Sequence, residues 1–342
     1  MTHSTPAVGI KDVAREAGVS VGTVSNVLNR PGRVSQRTRR HVEQVIARLG
    51  YVRSESARQL RAGRSRVVAV LVLDMGNPFF VDLARGAERT ARKAGLAVTL
   101  CNSAQSARKE AEYLDLFAEQ RVRGVLVTPA DPSGRSLGDF RRHGIPYVLV
   151  DRVAGDEEGC SVSVDDVAGG AMAVRHLTGA GHRSLAYVSG PPRLRQIQDR
   201  RTGALNAVAE AGLSPAALQE LPTEHLDVAA GRDAGARLLG LATRPTAVFC
   251  ANDLLALGVL QFMYTAGVKV PDDMAIVGYD DIEFAAAATV PLTSVRQPAR
   301  AMGALAADLL LQEAGDRADE HRHQHVVLRP ELVVRDSSLS PR

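Results

Sequence analysis

Residues 10–63 read IKDVAREAGVSVGTVSNVLNRPGRVSQRTRRHVEQVIARLGYVRSESARQLRAG, and the apolar spacing in this stretch decides the fold of the amino-terminal part. The first apolar set has the i, i+3, i+4, i+7 spacing of one helix face: Ile10, Val13, Ala14 and Ala17. Gly18 follows this set and suits a left-handed helix cap. Ser20 and Ser35 are favourable N-caps for two further helices. The spacing predicts a helix-turn-helix unit of three helices within residues 1–53.

The second and third predicted helices carry apolar residues that would close a small core against the first helix: Val24, Val27, Leu28, Val42, Val45, Ile46 and Leu49. The remaining positions of the second helix would face outward: Val21, Gly22, Thr23, Ser25 and Asn26. Small and polar side chains on one helix face are suited to the base edges in a DNA groove. The pattern therefore favours DNA recognition through the second helix.

Positive charge is concentrated on the same part of the chain. Residues 1–66 hold 13 Lys and Arg against four Asp and Glu, a net charge of +9, whereas the whole chain carries +4. The remaining residues are therefore net negative, at −5. A basic surface alone could simply be solvated, but a basic segment that also has helix-turn-helix spacing is typical of proteins that bind nucleic acid phosphates.

Residues 10–63 resemble the headpiece of the LacI/GalR family of bacterial transcriptional regulators, and the rest of the chain is similar to that family from end to end. The resemblance implies that the second helix lies in the major groove. It also implies that a hinge helix within residues 54–65 pairs with its copy from a second subunit in the minor groove. Carried over by position, it implies DNA contacts from Ser20, Val21, Gly22, Thr23, Ser25, Asn26, Asn29, Arg33, Ala57 and Leu60.

The base-facing residues implied by the resemblance are Val21, Gly22 and Asn26. Many family members have Arg at the position of Asn26, and Arg reads guanine with two hydrogen bonds, whereas Asn favours adenine. The half-site sequence is therefore expected to differ from those of better-known relatives. Leu60, close to Ala57, would be a wedge that partly unstacks a central base step, although a Leu in a short amphipathic stretch is more often a core residue.

Length and composition allow two or three further hydrophobic cores behind this small unit, since the chain has 342 residues of which 45% are hydrophobic. The sequence has no apolar run of about 18 residues and no basic-then-apolar leader, so a cytoplasmic protein is expected. Cys101, Cys160 and Cys250 are widely spaced and odd in number. This spacing predicts buried free thiols, and neither a disulfide framework nor a zinc ribbon.

From residue 66 onward, short apolar runs alternate with helical patterns, which predicts parallel sheets covered by helices on both faces. The runs are too many for one small sheet, so the predicted fold class is α/β, with two doubly wound parallel-sheet lobes. The family resemblance implies the same periplasmic-binding-protein-like core within residues 66–342, with three crossovers between the lobes. We expect the crossovers near residues 161, 291 and 325. The lobes would then comprise residues 66–160 and 293–324 for the first, and 161–292 and 325–342 for the second.

Polar residues follow several predicted strands, where the ligand crevice of a doubly wound sheet lies. Together with the family positions, they predict effector contacts from Phe79, Phe80, Asp151, Arg200, Asn252, Asp280 and Gln297. Carboxylates, an amide and a guanidinium can satisfy hydroxyl or carboxylate groups that leave water. Asp74 and Asn77 lie close to the Phe pair in sequence. The two Phe residues could instead pack in the core between the lobes. Asp253 and Asp281 are expected to cap helices, or to place a negative charge in the first turn of a helix.

Enzyme motifs are absent from the sequence, which has no phosphate-binding loop, no dinucleotide-binding glycine pattern and no nucleophile elbow. Neither a catalytic residue nor a cofactor is therefore predicted. His321, His323 and His325 alternate along the lead-in to the last predicted crossover and could share one face, as metal ligands do. Because they lie outside the expected crevice, the sequence predicts no metal site.

The sequence as a whole predicts a repressor that binds a pseudo-palindromic double-stranded operator as a homodimer. A small polar effector, expected to be a sugar or sugar derivative, would control operator affinity by shifting the arrangement of the lobes and of the hinge helices. A nucleobase held by the Phe pair is the alternative ligand. An activator on the same scaffold and a solute-binding protein are the alternative functions, but the latter would need a secretion leader and no basic amino-terminal segment.

Overall fold

The computed structural model describes residues 8–51, 65–131, 133–155, 159–315 and 320–339. The chain divides into two compact units, Met1–Ser65 and Arg66–Arg342. No helix in the described ranges is both long enough and apolar enough to cross a membrane.

Within residues 8–51, the first unit contains three α-helices: α1 (Ile10–Glu16), α2 (Val21–Asn29) and α3 (Gln36–Leu49). The side chains of Ser20 and Ser35 each accept a backbone N–H in the first turn of α2 and α3, as predicted. Gly18 and Gly50 follow α1 and α3 with φ angles of 59° and 63°, a conformation that favours glycine. The buried core of the unit consists of Val13, Ala14, Ala17, Val24, Val27, Val42 and Val45.

The described residues of the second unit form two six-stranded sheets. The strands of the first sheet are β1 (Val67–Val72), β2 (Ala97–Asn102), β3 (Gly124–Val127), β4 (Tyr147–Val150), β5 (Cys160–Val164) and β11 (His325–Leu328). Their order is β11-β5-β4-β3-β1-β2, and every neighbouring pair is parallel. The helices of this first lobe are α4 (Pro78–Lys93), α5 (Ala107–Glu119), α6 (Arg135–Arg141) and α12 (Ala299–Glu313).

The strands of the second sheet are β6 (Leu185–Ser189), β7 (Leu218–Pro222), β8 (Ala247–Cys250), β9 (Ala275–Asp280), β10 (Thr293–Arg296) and β12 (Glu331–Val333). Their order is β12-β10-β9-β8-β6-β7, with β12 antiparallel to β10 and all other neighbours parallel. The helices of this second lobe are α7 (Asp166–Gly179), α8 (Arg195–Glu210), α9 (Val228–Leu239), α10 (Asp253–Thr265) and α11 (Glu283–Ala287). The α/β fold class with two doubly wound lobes is therefore confirmed.

The chain crosses between the sheets three times, and each crossing comes one strand later than predicted. The strands β5 and β11 pair with each other in the first sheet, whereas β10 pairs with β9 in the second. The crossings therefore follow Val164, Arg296 and Leu328, and the predicted positions near 161, 291 and 325 were wrong. An apolar run predicts a strand, but it does not say in which sheet the backbone hydrogen bonds of that strand are made.

Candidate DNA-binding face and effector crevice

The outward face of α2 carries residues predicted to meet DNA. Val21 is 42% exposed, and Gly22 beside it is exposed as well. Ser20 Oγ accepts the backbone N–H of Thr23 at 3.0 Å and lies 2.9 Å from Thr23 Oγ1. Both hydroxyls are thereby held at the positive end of the helix dipole, where a phosphate is favoured.

The next turn of α2 presents side-chain amides. Asn29 Nδ2 donates to the backbone oxygen of Ser25 at 2.8 Å and lies 3.2 Å from Ser25 Oγ. Asn26 is half-buried, and its side chain makes no hydrogen bond to any described residue. Its amide can therefore offer a donor and an acceptor together, the pair of groups that suits adenine.

Exposed arginines follow α2 along the chain, in the next loop and in α3. Those that pair with no carboxylate in the described part of the chain are Arg30, Arg33, Arg37 and Arg40. Such unpaired cations are suited to backbone phosphates. The predicted minor-groove residues Ala57 and Leu60 lie outside the described residues, so the hinge assignment stays a prediction.

The crevice between the two lobes of the second unit lies at the carboxyl ends of strands from both sheets. Its lining residues are Leu73, Asp74, Asn77, Phe79, Phe80, Gln105, Asp151, Gln196, Arg200, Leu226, Asn252, Asp280 and Gln297. The structure thus brings all seven predicted effector residues together. The enclosed space is about 30 Å³, which is room for about one water molecule. The crevice is therefore closed by its own side chains.

Asp280, the last residue of β9, accepts hydrogen bonds from two directions. Asn77 Nδ2 of the first lobe donates to Asp280 Oδ2 at 2.8 Å, and Gln297 Nε2 donates to Asp280 Oδ1 at 2.7 Å. Asn77 also caps α4, because its Oδ1 accepts the N–H of Phe79 at 3.0 Å. Burial raises the pKa of Asp280, although Arg200 and the two amide donors oppose this effect. The hydrogen bond between Asn77 and the carboxyl group of Asp280 therefore links the two lobes.

Asp151, directly after β4, makes a second link across the crevice. Gln196 Nε2, in α8 of the second lobe, donates to Asp151 Oδ2 at 3.2 Å. The other oxygen, Oδ1, is buried and accepts no hydrogen bond from any described residue. Burial, together with the nearby Asp166, raises the pKa of Asp151 well above its ordinary value. A carboxyl group in this setting would gain from a donor that a ligand brings.

Arg200 is buried behind these carboxyl groups. Its Nε donates to Asp166 Oδ1 at 2.8 Å, and its Nη1 donates to the backbone oxygen of Ala251 at 2.7 Å. Its guanidinium carbon lies 3.7 Å from the centre of the Tyr279 ring. Gly170 permits this packing, since a Cβ there would come within 2.0 Å of the Arg200 backbone oxygen. Burial alone would lower the pKa of Arg200, but the surrounding carboxyl and phenol groups together raise it well above its ordinary value.

Asn252 and the Phe pair also border the crevice. Asn252 caps α10, since its Oδ1 accepts the N–H of Leu255 at 2.9 Å, and its Nδ2 donates to the backbone oxygen of Leu226 at 3.0 Å. Phe79 and Phe80 are buried, with ring centroids 5.0 Å apart in an edge-to-face arrangement. Both Phe residues belong to the continuous core of the unit, so the packing role is observed and the ligand contact stays a prediction.

Backbone strain is concentrated around the crevice. Of the six non-glycine residues with positive φ in the described ranges, five lie at the carboxyl ends of strands: Ala104, Gln105, Asp151, Asp280 and Asp281. The φ angle is 60° at Asp151 and 105° at Asp280. Each such residue costs about 1–3 kcal/mol, and strain of this kind clusters at binding sites.

Sequence reasoning missed three polar residues of this region, namely Gln105, Asp166 and Gln196. The sequence does contain a signal for Gln196, because it precedes Arg200 by one helical turn and therefore lies on the same face of α8. Gln105 follows β2 in a strained loop, and Asp166 meets Arg200 only through the packing of α7 on α8. No local pattern reports such contacts between distant segments.

Asp253 has the predicted first-turn position, whereas Asp281 does not cap a helix. Asp253 lies in the first turn of α10, as expected, but its Oδ1 accepts the hydroxyl of Ser294 in β10 at 2.7 Å. Asp281 caps no helix, since it forms ion pairs with Arg296 and Arg335, both at 2.7 Å. Both carboxyl groups stabilise the second sheet near its crevice edge.

The chain is similar to known proteins both in sequence and in structure. Residues 9–54 match the family described as bacterial regulatory proteins, lacI family, and residues 174–338 match a periplasmic binding protein-like domain. The HTH-type transcriptional repressor PurR of Photobacterium profundum is 34% identical over 332 residues, which cover 96% of this chain and 98% of that protein.

Two solved structures illustrate the similarity of the fold. The transcriptional regulator CelR in complex with cellobiose is 31% identical, with a TM-score of 0.71, over 97% of this chain and 100% of that one. The lac repressor dimer bound to operator and the anti-inducer ONPF is 26% identical, with a TM-score of 0.84, over 98% of this chain and 100% of that one. These similar proteins are transcriptional regulators and not enzymes. The chain belongs to the LacI family of bacterial regulatory proteins.

Proposed function

We propose that this protein is a cytoplasmic repressor, a homodimer whose affinity for a pseudo-palindromic operator is set by a small hydroxyl-rich ligand held in the interlobe crevice. The observation that carries the proposal is the pair of cross-lobe hydrogen bonds, Asn77 to Asp280 and Gln196 to Asp151. A ligand that replaces these bonds changes the spacing of the lobes, and a change of lobe arrangement is what an allosteric regulator needs.

The polar groups of the crevice support a sugar or sugar derivative as ligand. Asp151 and Asp280 offer carboxylate acceptors for hydroxyl groups, while Gln297 and Asn252 offer amides. A monosaccharide is several times larger than the 30 Å³ of the closed crevice, so the lobes must separate before it binds. The complex of a similar regulator with cellobiose supports this ligand class. A nucleobase stacked on the Phe pair is the competing ligand.

For DNA, we propose that α2 lies in the major groove with Val21, Gly22 and Asn26 toward the bases. Ser20, Thr23, Ser25 and Asn29 would bind phosphates on either side, with Arg33 and its neighbouring arginines extending the contact, while Ala57 and Leu60 would enter the minor groove. The operator-bound structure of the similar lac repressor supports this role of the amino-terminal unit.

For the homodimer, we propose a contact through an apolar surface of the second lobe. Tyr264, near the end of α10, is 79% exposed. It borders a shallow concavity of about 860 Å³, which is also lined by Leu257, Leu260, Val268 and Val290. An exposed aromatic side chain beside an apolar concavity suits a protein contact, and a second copy of the chain can present the same surface in a two-fold arrangement. The dimeric state of the similar lac repressor supports this assignment.

The function is tested in two steps with the purified full-length chain. Selection from a random DNA pool should yield a motif with two related half-sites, and the retained operator is then titrated in the presence of a panel of sugars and nucleobases. At least one sugar should change operator affinity. A pool that yields no motif contradicts the DNA-binding assignment, and a response to nucleobases alone contradicts the sugar assignment.

A further inference from the structure

A cluster of potential metal ligands lies far from the crevice, at the opposite edge of the first sheet. Cys160 begins β5, Glu313 ends α12, and His321 and His323 lie in the extended segment that leads into β11. One ligand atom from each of these four residues lies within 4.8 Å of those of the other three. The effector crevice is formed at the carboxyl ends of the parallel strands, whereas this cluster sits where β5 and β11 begin. The two sites are therefore separate.

The distances within the cluster are close to those of a tetrahedral site. Cys160 Sγ lies 3.1 Å from His321 Nε2 and 3.9 Å from His323 Nδ1. Glu313 Oε1 lies 3.1 Å from His323 Nδ1 and 3.5 Å from His321 Nε2. Four ligand atoms around a zinc ion, at ordinary bond lengths, are separated from one another by about 3.3–3.6 Å. An ion could therefore be accommodated by small side-chain movements.

The surroundings of the cluster resemble a metal site in two further respects. The backbone N–H of Gln324 donates to Cys160 Sγ at 3.3 Å, the kind of outer contact that orients a ligating sulfur. Cys160 is fully buried, the side chains of His321 and Glu313 are at most 10% exposed, and that of His323 is 41% exposed. An ion can therefore enter past His323 and be enclosed by the other three groups.

We propose that Cys160, Glu313, His321 and His323 bind one divalent transition-metal ion of the zinc type. One thiolate, two imidazoles and one carboxylate are the donors that Zn²⁺ takes, and four protein ligands leave no open position for substrate. The site is therefore structural: it fastens the end of α12 to the edge strand β11 and its neighbour β5, shortly before the chain makes its third crossing between the lobes.

The sequence did not reveal this site, because its four ligands come from three separate segments of the chain. The alternating histidines suggested a trio that included His325. In the structure His325 Nδ1 instead lies 3.1 Å from Ser161 Oγ. Only two of the three histidines therefore contribute to the cluster, and Cys160 and Glu313 replace the third.

The test uses the full-length chain, stripped with a chelator and then titrated with Zn²⁺ or Co²⁺. One equivalent of Zn²⁺ should bind and raise the melting temperature. Co²⁺ should give the intense visible absorption of a tetrahedral site and a thiolate charge-transfer band. Cys160→Ser should abolish the charge-transfer band and weaken metal binding by more than the about 10- to 100-fold that loss of an outer-shell partner costs. Cys101→Ser is the matched control and should leave both unchanged.

A second variant keeps the test informative if Cys160→Ser does not fold. His323→Ala removes a partly exposed ligand, so it should fold normally, yet it should weaken metal binding to a similar extent. His325→Ala, in the same segment but outside the cluster, should bind metal like the unmodified chain. The proposal is overturned if the stripped chain takes up no Zn²⁺, or if His323→Ala and Cys160→Ser bind it as tightly as the controls. In that case the four side chains form a hydrogen-bonded cluster only.

Discussion

Asn77 and Asp280, which are 203 positions apart in the chain, meet across the interlobe crevice at 2.8 Å from Nδ2 to Oδ2. The amide that makes this bond belongs to the residue that caps α4, and the carboxyl group belongs to the strained end of β9. Both side chains are therefore held by their own lobe and can meet only when the lobes are close. A ligand that forms a hydrogen bond with Asn77 or Asp280 in place of this one must move one lobe relative to the other.

Replacing Asp280 with Asn tests the carboxylate as a ligand contact. The substitution keeps the shape of the side chain but turns one acceptor oxygen into a donor, which faces the amides of Asn77 and Gln297. Loss of a hydrogen bond to a charged group costs about 1.5–3 kcal/mol. We therefore expect sugar affinity, measured by calorimetry, to fall by about 10- to 100-fold. Unchanged affinity would remove Asp280 from the site, and Asp233→Asn, on the exposed surface, is the control.

Arg200→Ala is expected to destabilise the protein itself as well as any ligand complex. The buried Asp166 would lose its partner, and breaking a buried ion pair from one side costs about 3–5 kcal/mol. Arg201→Ala provides a matched control in the next position, because Arg201 forms a partly exposed pair with Glu220 that is worth about 0–1 kcal/mol. Urea denaturation of the two variants should separate them clearly. Equal midpoints would contradict the structural role of Arg200.

Asp151→Asn should stabilise the ligand-free protein at neutral pH while weakening the ligand complex. The pKa of Asp151 is raised in the folded state, so its ionisation costs stability as pH rises from its ordinary value through the raised one. The Asn variant cannot ionise, so it does not lose stability in this way. Its Oδ1 can still accept a hydrogen bond from Gln196. We expect its stability relative to the unmodified protein to increase as the pH rises above about 4. A difference that does not vary with pH would show that this carboxyl group has no raised pKa.

Asn26→Arg should change the base preferred at one position of each half-site, from adenine toward guanine, in selection from random DNA. Overall stability should not change, since the Asn26 side chain makes no hydrogen bond in the described part of the chain. Lys11→Arg, on the exposed side of α1, serves as a control for an added guanidinium. An unchanged motif would mean that Asn26 does not read a base.

Local patterns predicted local structure well. The caps at Ser20 and Ser35 and the cap glycine at Gly18 were confirmed, because each depends on residues within a single turn. Strand ends were also informative, since the carboxyl ends of parallel strands share one edge. This is why Asp151 and Asp280, which lie at strand ends of the two different sheets, could both be assigned to the crevice.

The errors concern contacts between distant segments. Nothing in the run at 160–164 shows that it pairs with β4, and nothing in the run at 293–296 shows that it pairs with β9. The same limit hid the meeting of Cys160 with Glu313, and that of Gln196 with Asp151. Such pairs are set by tertiary packing, which sequence periodicity does not report.

The most direct test of the proposed regulation is the operator dissociation constant of the full-length dimer, measured with and without a sugar that stabilises the protein against heat. A saturating sugar should change this constant by about 5- to 150-fold, the usual range of allosteric coupling. Asp280→Asn, which should bind the sugar about 10- to 100-fold more weakly, should need a correspondingly higher sugar concentration to change this constant. A sugar that binds the crevice and leaves operator affinity unaltered would contradict the account.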